Sequence, residues 1–273
     1  MGHSVVDSWR HTAIRMRRAG PAIVRPLTPF TAVILVWQAI AASGAVNSYL
    51  LPPPTAVLSR LIHLAATGDL FADTALTVYR TLAGFGIAIL VGASIGFWMG
   101  TSAFGELLLG PVVSFLFSTP KISFLPIFIL WFGTFDGSKI LMTAFICAFP
   151  VISACHSGAK DVSRLWRWVG QNIGMSRSRV VRKIMIPATL PALFTGGAIS
   201  LPFAFIAVSV SEMMSGGGGL GARMMLSARF ADSATVVAVI IVLGAIGVAL
   251  SAALTAARHR LLRWDSTVDT VVA

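Results

Sequence analysis

Residues 160–187 read KDVSRLWRWVGQNIGMSRSRVVRKIMIP, the longest strongly polar interval in the middle of a very apolar chain. Lys160, Arg164, Arg167, Arg177, Arg179, Arg182 and Lys183 stand there against one acid, Asp161. Hydrophobic spans lie on both sides, so the interval is a loop or short helical excursion outside a bilayer. Val162 to Ile173 can form a helix with Leu165, Trp166, Val169 and Ile173 on one side and Arg164, Arg167 and Gln171 elsewhere. Gly174 ends it, and Met175-Ser176 start a second short helix expected to run to Ile186 and stop before Pro187. Two short helices at an angle, showing aromatic and aliphatic groups to water, suit the docking of another protein. A solvated basic loop on anionic lipid is the simpler alternative, but it does not need the Trp166/Trp168 pair or the glycine turn.

The rest of the chain supports a membrane setting. Of 273 residues, 56% are hydrophobic and 11% charged, whereas soluble domains run nearer a quarter charged. The net charge of +11 would hint at nucleic acid in a soluble protein. Here it sits in loops beside apolar spans, where it sets topology, and nucleic acid is not expected as a partner. Cys147 and Cys155 are eight residues apart; that is about 12 Å of helix rise, too far for a disulfide within one helix.

Taken in order, a basic N-terminal segment (1–28) leads to an apolar run at 29–45 ending in small residues. A signal peptide has this pattern too; an uncleaved first span is the preferred reading, since several further spans follow. The prolines at 52–54 stop any helix, and Thr55 is read as the N-cap of a short interfacial helix ended by Gly68. The second span, about 81–99, carries Gly84, Ala88, Gly92, Gly96 and Gly100 at intervals of four. In lipid a stripe of small residues is a packing face, because close backbone approach drives helix association. The third, 107–132, contains Pro111, Pro120, Pro126 and Lys121, so it is not a plain straight helix. A lysine at mid-membrane costs about 2.5–3.5 kcal/mol: either Lys121 faces protein or water, or the chain breaks at 118–121 and the side chain snorkels. The fourth span, 140–154, is kinked or ended near Pro150. The fifth, 188–210, is followed by Glu212 and a glycine loop with Arg223 and Arg229. The sixth, 235–257, leads to a polar tail (265–273). The membrane part is thus 29–264, with the basic loop at about 159–187.

Six spans place both termini and the basic loop on one side. That side holds 15 Lys/Arg against 5 on the other (Arg60, Arg80, Lys139, Arg223, Arg229), so both termini and the loop are expected in the cytoplasm of a multi-pass cell-membrane protein. No phosphate-binding G-x-x-x-x-G-K-[ST] or HExxH motif is present, and neither an enzyme nor a metal site is expected. Transport remains. A channel or secondary transporter is the alternative to an energised one, but secondary transporters keep ionisable groups deep in their spans, where only Lys121 is a candidate here.

The glycine-to-proline pattern from Gly174 through Ile184 to Pro187 resembles the cytoplasmic loop motif of binding-protein-dependent ABC importer permeases. LLPPPTAVL (50–58), TVYRTLAGF (77–85), ILWFGTFDGSKI (129–140), IMIPATLPAL (184–193) and SEMMSGGGGLG (211–221) are similar to the nitrate/taurine/aliphatic-sulfonate subgroup. The resemblance covers about residues 50–264. It implies an all-α, six-helix type I importer permease fold and a loop acting as a coupling helix in a groove of an ATPase subunit. The positions concerned are Asp161, Arg164, Leu165, Trp168, Val169, Gly170, Gly174, Met175 and Pro187. It also implies a second permease copy (identical by preference), two cytoplasmic ATPases holding the ATP and Mg, no cofactor on this chain, and an extracytoplasmic binding protein delivering a small polar or anionic solute. Ser209, Ser211, Glu212 and Met213, near the outer end of span five, are candidate pathway or gate residues; for Glu212, a loop-facing carboxylate is the alternative. One departure stands out. The family's loop motif opens with an acid and two small residues, and this chain has Trp168, Val169 and Gly170 there.

Overall fold

The computed structural model describes residues 24–262 except 163, together with 264; for residues 24–28, 30, 164, 165 and 167 only the backbone is described. Among the described residues the regular structure is helical throughout. The chain divides into two compact units, residues 1–60 and 61–273.

In the first unit, α1 (Val24–Ala42) contains the apolar stretch Thr31–Ala42, which is shorter than a full membrane span. An Asn47 turn, in which the Leu50 and Leu51 amides donate to the Asn47 carbonyl, leads to α2 (Pro54–Ala66), within which the division at residue 60 falls. Pro54 is the first helical residue, a position where its missing N–H is harmless. Thr55 therefore lies inside the first turn and is not the cap.

In the second unit, α3 (Asp69–Thr101) begins at Gly68 (φ 82°), twelve residues before the expected start of span two. Its first turns carry Asp69, Asp73, Thr77 and Arg80, whose polarity reads as extramembrane; protein partners, described below, hold them in the helix. α4 (Ala103–Ser118) is capped by the Ser102 side chain, which accepts from the Gly105 amide. The chain then breaks at Thr119–Pro120, and after a 3-10 turn (Lys121–Phe124) α5 (Leu125–Phe132) leaves at 96° to α4. The third expected span is thus two half-helices.

α6 (Asp136–Asp161) passes through Pro150 without ending. It runs between α3 and the long helix after the basic loop, and a proline is tolerated inside a membrane helix so supported. After α6 come α7 (Arg164–Asn172), α8 (Arg177–Val180), a π turn (Val181–Met185) and α9 (Ile186–Ser215). The expected stop before Pro187 does not occur, and Arg177–Ser215 is one helical run of 39 residues. The π turn explains it: the Ile186 amide reaches back to the Val181 carbonyl, and the widened turn sets Pro187 in the first turn of α9, where no donor is required. α9 also runs past residue 210, so Glu212 lies within it. α10 (Leu220–Arg229) forms where a loop was expected, and α11 (Ser233–Leu261) ends the fold, its N-terminus capped by Asp232 accepting from the Thr235 amide.

Four helical runs, α3, α6, Arg177–Ser215 and α11, are long and apolar enough to cross a membrane, and the bent α4/α5 pair makes a fifth. The core is α6 between α3 and α9. The α3 stripe lies flat on α6. A Cβ on Gly84 would stand 2.6 Å from Thr143 Cβ, on Gly92 2.9 Å from Val151 Cβ, on Gly96 2.5 Å from the Ile152 carbonyl oxygen, and on Gly100 2.6 Å from the His156 carbonyl oxygen. Ala88 packs with Cys147 and Ala204. On the other side of α6, a Cβ on Gly158 would meet Ala192 Cβ at 2.3 Å, and one on Gly196 would meet Ala154 Cβ at 2.8 Å. Backbone contact at this range maximises dispersion where no hydrophobic effect separates helix from lipid.

Candidate functional site

Two features stand out, the basic segment between α6 and α9 and a buried ion cluster at the opposite end of α9.

The basic segment is built as a folded-back pair. Gly174 (φ +78°) turns the chain, its amide donating to the Gln171 carbonyl while the Met175 amide reaches the Gly170 carbonyl. Only glycine adopts this conformation without strain. Val162, Val180 and Met185 form a small core with Phe97, Met175, Val181 and Ile184. Gly170 is buried against it, and a Cβ there would lie 2.9 Å from Ile184 Cδ1. Away from this core, Trp166, Trp168 (64% exposed), Val169 and Ile173 face outward. Asp161 and Gly174 are exposed, and Pro187 is half-buried. Of Arg164 and Leu165 only the backbone is described.

At the other end, Arg80 is 2% exposed and donates through every guanidinium nitrogen. Nη1 donates to Glu212 Oε1 (2.7 Å) and the Gly218 carbonyl (2.9 Å). Nη2 donates to Asp136 Oδ1 (2.7 Å) and the Gly217 carbonyl (3.0 Å), and Nε to Asp136 Oδ1 (2.9 Å). Glu212, 0% exposed, also accepts from the Thr77 hydroxyl and the Gly221 amide (3.0 Å). The Leu220 amide donates to that same threonine oxygen. Lys139, 1% exposed, donates to the Thr134 carbonyl (2.9 Å). Asp73 accepts from the Gly219 amide and from Arg223. The glycine loop wraps the carboxylate so closely that a Cβ on Gly219 (φ +97°) would sit 2.3 Å from Glu212 Oε1. Two buried charges with this many partners avoid the penalty of isolated ions; the cluster ties α3, α6 and α9 together at one end. Arg80 and Lys139, counted above among the charges on the side opposite the termini, are buried in the protein.

Of the candidate pathway residues, Ser211 and Glu212 are both buried, Ser211 donating to the Ala207 carbonyl (2.6 Å). Ser209 and Met213 line an apolar cleft of about 790 Å³ with Pro202, Phe205, Met224 and Gly247. No His, Cys, Asp or Glu group suited to a metal ion occurs among the described residues.

This geometry can be set beside known proteins. Residues 84–263 match the family described as binding-protein-dependent transport system inner membrane component. The chain belongs to that family. Within it, SsuC of Bacillus subtilis, carried under the name of a putative aliphatic sulfonates transport permease protein, is 30% identical over 87% of this chain and 86% of its own. TauC of Escherichia coli, a taurine transport system permease protein, is 29% identical over 87% and 88%. ThiX of Halalkalibacterium halodurans, a formylaminopyrimidine transport permease protein, is 28% identical over 91% and 98%. In structure, a chain of the MetNI methionine ABC transporter in an inward-facing conformation superposes with a TM-score of 0.60 at 18% identity, over 71% of this chain and 94% of that one. A chain of an amino acid ABC transporter gives 0.56, also at 18% identity, over 75% and 98%. The fold is therefore that of the ABC importer permeases.

For this permease the ion cluster explains three of the five dispersed motifs: Thr77 and Arg80 come from TVYRTLAGF (77–85), Asp136 and Lys139 from ILWFGTFDGSKI (129–140), and Glu212 with its glycines from SEMMSGGGGLG (211–221). Sequence reasoning singled out Glu212 but missed Arg80, its partner 132 residues away. The available signal was an arginine and a glutamate, each in a motif beside an apolar span and otherwise unaccounted for.

Proposed function

We propose that this permease is the membrane subunit of an ATP-driven importer for a small polar or anionic solute, of the sulfonate, taurine or nitrate type. Solute would arrive on an extracytoplasmic binding protein and cross between this chain and a second permease, by preference an identical copy. Two cytoplasmic ATPases would hold the ATP and Mg, and this chain would bind no cofactor. The Lys/Arg bias favours a cytoplasmic position for both termini and the 159–187 segment in a cell-membrane protein. The solute class rests on the names of the sulfonate and taurine relatives.

The observation that carries the reading is the outward face of α7. Trp168 is exposed on the side of α7 away from Gly170, with Trp166, Val169 and, just past the helix, Ile173 also exposed, while Gly170 and the Val162–Val180–Met185 core anchor the segment. Exposed aromatics on a fixed element are the usual anchors of a protein interface. Trp168 stands where the family's acid is expected, so the contact it makes is apolar where an ion pair would otherwise form. Nucleotide-driven closure of the ATPases would move α7, and with it α9, opening the pathway toward the binding protein.

The test is co-purification of the ATPase with the tagged permease. Trp168→Ala should weaken retention about tenfold or more, the scale of losing a central aromatic anchor, without changing the permease's own thermal midpoint, because the side chain faces away from the core beneath α7. Retention and uptake unchanged by Trp168→Ala together with deletion of 164–176 would refute the coupling role.

A further inference from the structure

Helices α3 and α9 both rest on α6, and small residues set how closely. Gly92 and Gly96 seat α3 against Val151, Ile152 and Cys155, and Gly158 of α6 meets Ala192 of α9. Farther along, Ala88, Cys147 and Ala204 meet and close the gap between the outer two helices. Toward the basic segment the gap stays open. A groove of about 230 Å³ lies there, walled by Ala93, Ser94 and Phe97 of α3 and by Ile186 and Leu193 of α9, with the buried Cys155 of α6 beneath.

The lining offers a polar ligand nothing to bond. The Ser94 hydroxyl donates to the Leu90 carbonyl (2.8 Å), and the Thr189 hydroxyl, also on the groove, to the Met185 carbonyl (2.8 Å). Cys155 behaves as a small hydrophobe. An apolar cavity of about 150 Å³ stays dry and takes up benzene, so a groove of this size and lining suits hydrocarbon.

The basic segment stands at one end of this groove. Phe97 belongs to both: it lines the groove and packs on the Val162–Val180–Met185 core beside Val181 and Ile184. Ile186 also lines the groove, and its amide ties it to the π turn through the Val181 carbonyl. Arg182 and Lys183 lie in that turn, both exposed, with Arg182 one turn ahead of Ile186 on the same side of the run. Arg177 and Arg179 are exposed on α8 just before them. None of the four makes an ion pair among the described residues, and the sequence has no Asp or Glu between Asp161 and Glu212.

We propose that the α3/α9 groove and the π turn together bind one anionic phospholipid, an acyl chain lying between Phe97 and Ile186 and the phosphate held by Arg182 and Lys183. Unpaired cations beside an apolar groove, on a helix that enters the membrane, complement a molecule with a negative head and a hydrocarbon tail. An acidic protein surface would meet the charges and leave the groove unfilled. The lipid fastens the π turn to the end of the bundle and leaves the outward tryptophans of α7 free. The site requires only a bilayer, so it stands apart from the importer reading.

The test uses the full-length chain, with the subunits that co-purify, in phosphatidylcholine nanodiscs. A trace of phospholipid carries a photoactivatable diazirine on its acyl chain and either a glycerol or a choline head, and cross-linked peptides are mapped by mass spectrometry. The phosphatidylglycerol probe should label residues 93–97 and 186–193 saturably. It should exceed the phosphatidylcholine probe there by about tenfold or more, the margin expected of two basic residues at an anionic head. Arg182→Gln with Lys183→Gln should bring the labelling down to the phosphatidylcholine level without moving the thermal midpoint, because both side chains are exposed. Ala93→Phe, which fills the groove, should remove labelling there by both probes and leave it unchanged elsewhere on the bundle. If either variant fails to fold, the wild-type comparison decides. Equal labelling by the two probes reduces the groove to ordinary boundary lipid and overturns the site. Absence of labelling by both overturns it too, and disulfide formation between Ser94→Cys chains would then assign the groove to a second copy.

Discussion

Replacing Gly96 by alanine tests whether the small-residue stripe of α3 holds the bundle together. The added Cβ would stand 2.5 Å from the Ile152 carbonyl oxygen, 2.9 Å from Cys155 Cβ and 3.1 Å from the His156 nitrogen. Two of these three atoms are backbone, so no rotamer change relieves them, and ordinary contact requires α3 and α6 to separate by roughly 1 Å. Overpacking of a tight core costs about 1–3 kcal/mol, and separation also loosens the contacts on either side of Gly96. Gly86 lies on the same helix, and a Cβ added there would meet nothing within 4 Å. At that position alanine removes only glycine's helix penalty, a gain of about 0.5–1 kcal/mol. The two substitutions are chemically identical and should have opposite signs. For a chain of this size about 1 kcal/mol corresponds to ~2–4 °C, so Gly96→Ala should lower the midpoint of detergent-solubilised protein by several degrees while Gly86→Ala holds or raises it. Thermal unfolding followed by tryptophan fluorescence reads both. Equal midpoints for the two variants would show that close approach at Gly96 contributes nothing and would refute the packing argument.

The ion cluster makes two further predictions. Arg80→Gln leaves Glu212 and Asp136 without their shared cation and should destabilise the chain by about 3–5 kcal/mol, the range for breaking a buried pair from one side; the double variant Arg80→Gln/Glu212→Gln should recover part of that loss in the same thermal assay. Gly219→Ala should be far more damaging than Gly216→Ala: both have positive φ, but only the Gly219 methyl would collide with Glu212, whereas Gly216 has open space around it. A difference of less than a degree between them would remove the glycine loop from the cluster's support.

Local chemistry carries far in this chain. The four-residue spacing of Gly84 to Gly100 marks a packing face, and that face lies on α6. The prolines and lysine of residues 111–126 foretell a span that is not straight, and it breaks at Thr119–Pro120. What local pattern does not supply is pairing across distance. Arg80, Asp136 and Glu212 look like three separate charges near span ends, because hydropathy ranks them as extramembrane; only their meeting makes them interior. The same ranking sets the expected start of α3 three turns too late. Pro187 reads as a stop because proline usually is one, and the π turn ahead of it has no sequence pattern of its own. At the basic segment, Gly174 and the outward Trp166 and Trp168 are visible in the sequence, whereas the burial of Gly170 against Ile184 requires the folded-back geometry.

The run from Arg177 to Ser215 acts mechanically as a bar. At 39 residues it is roughly 58 Å long, and no loop interrupts it between the segment that displays the tryptophans and the carboxylate gripped by Arg80. A tilt of about 5° around its middle would carry each end through roughly 2.5 Å in opposite directions, enough to open the 2.7 Å hydrogen bond between Arg80 and Glu212 at the far end. A backbone rung is missing at Pro191 and Pro202, the prolines inside α9. A displacement at one end of the run would therefore reach the other shared between two notches and one latch.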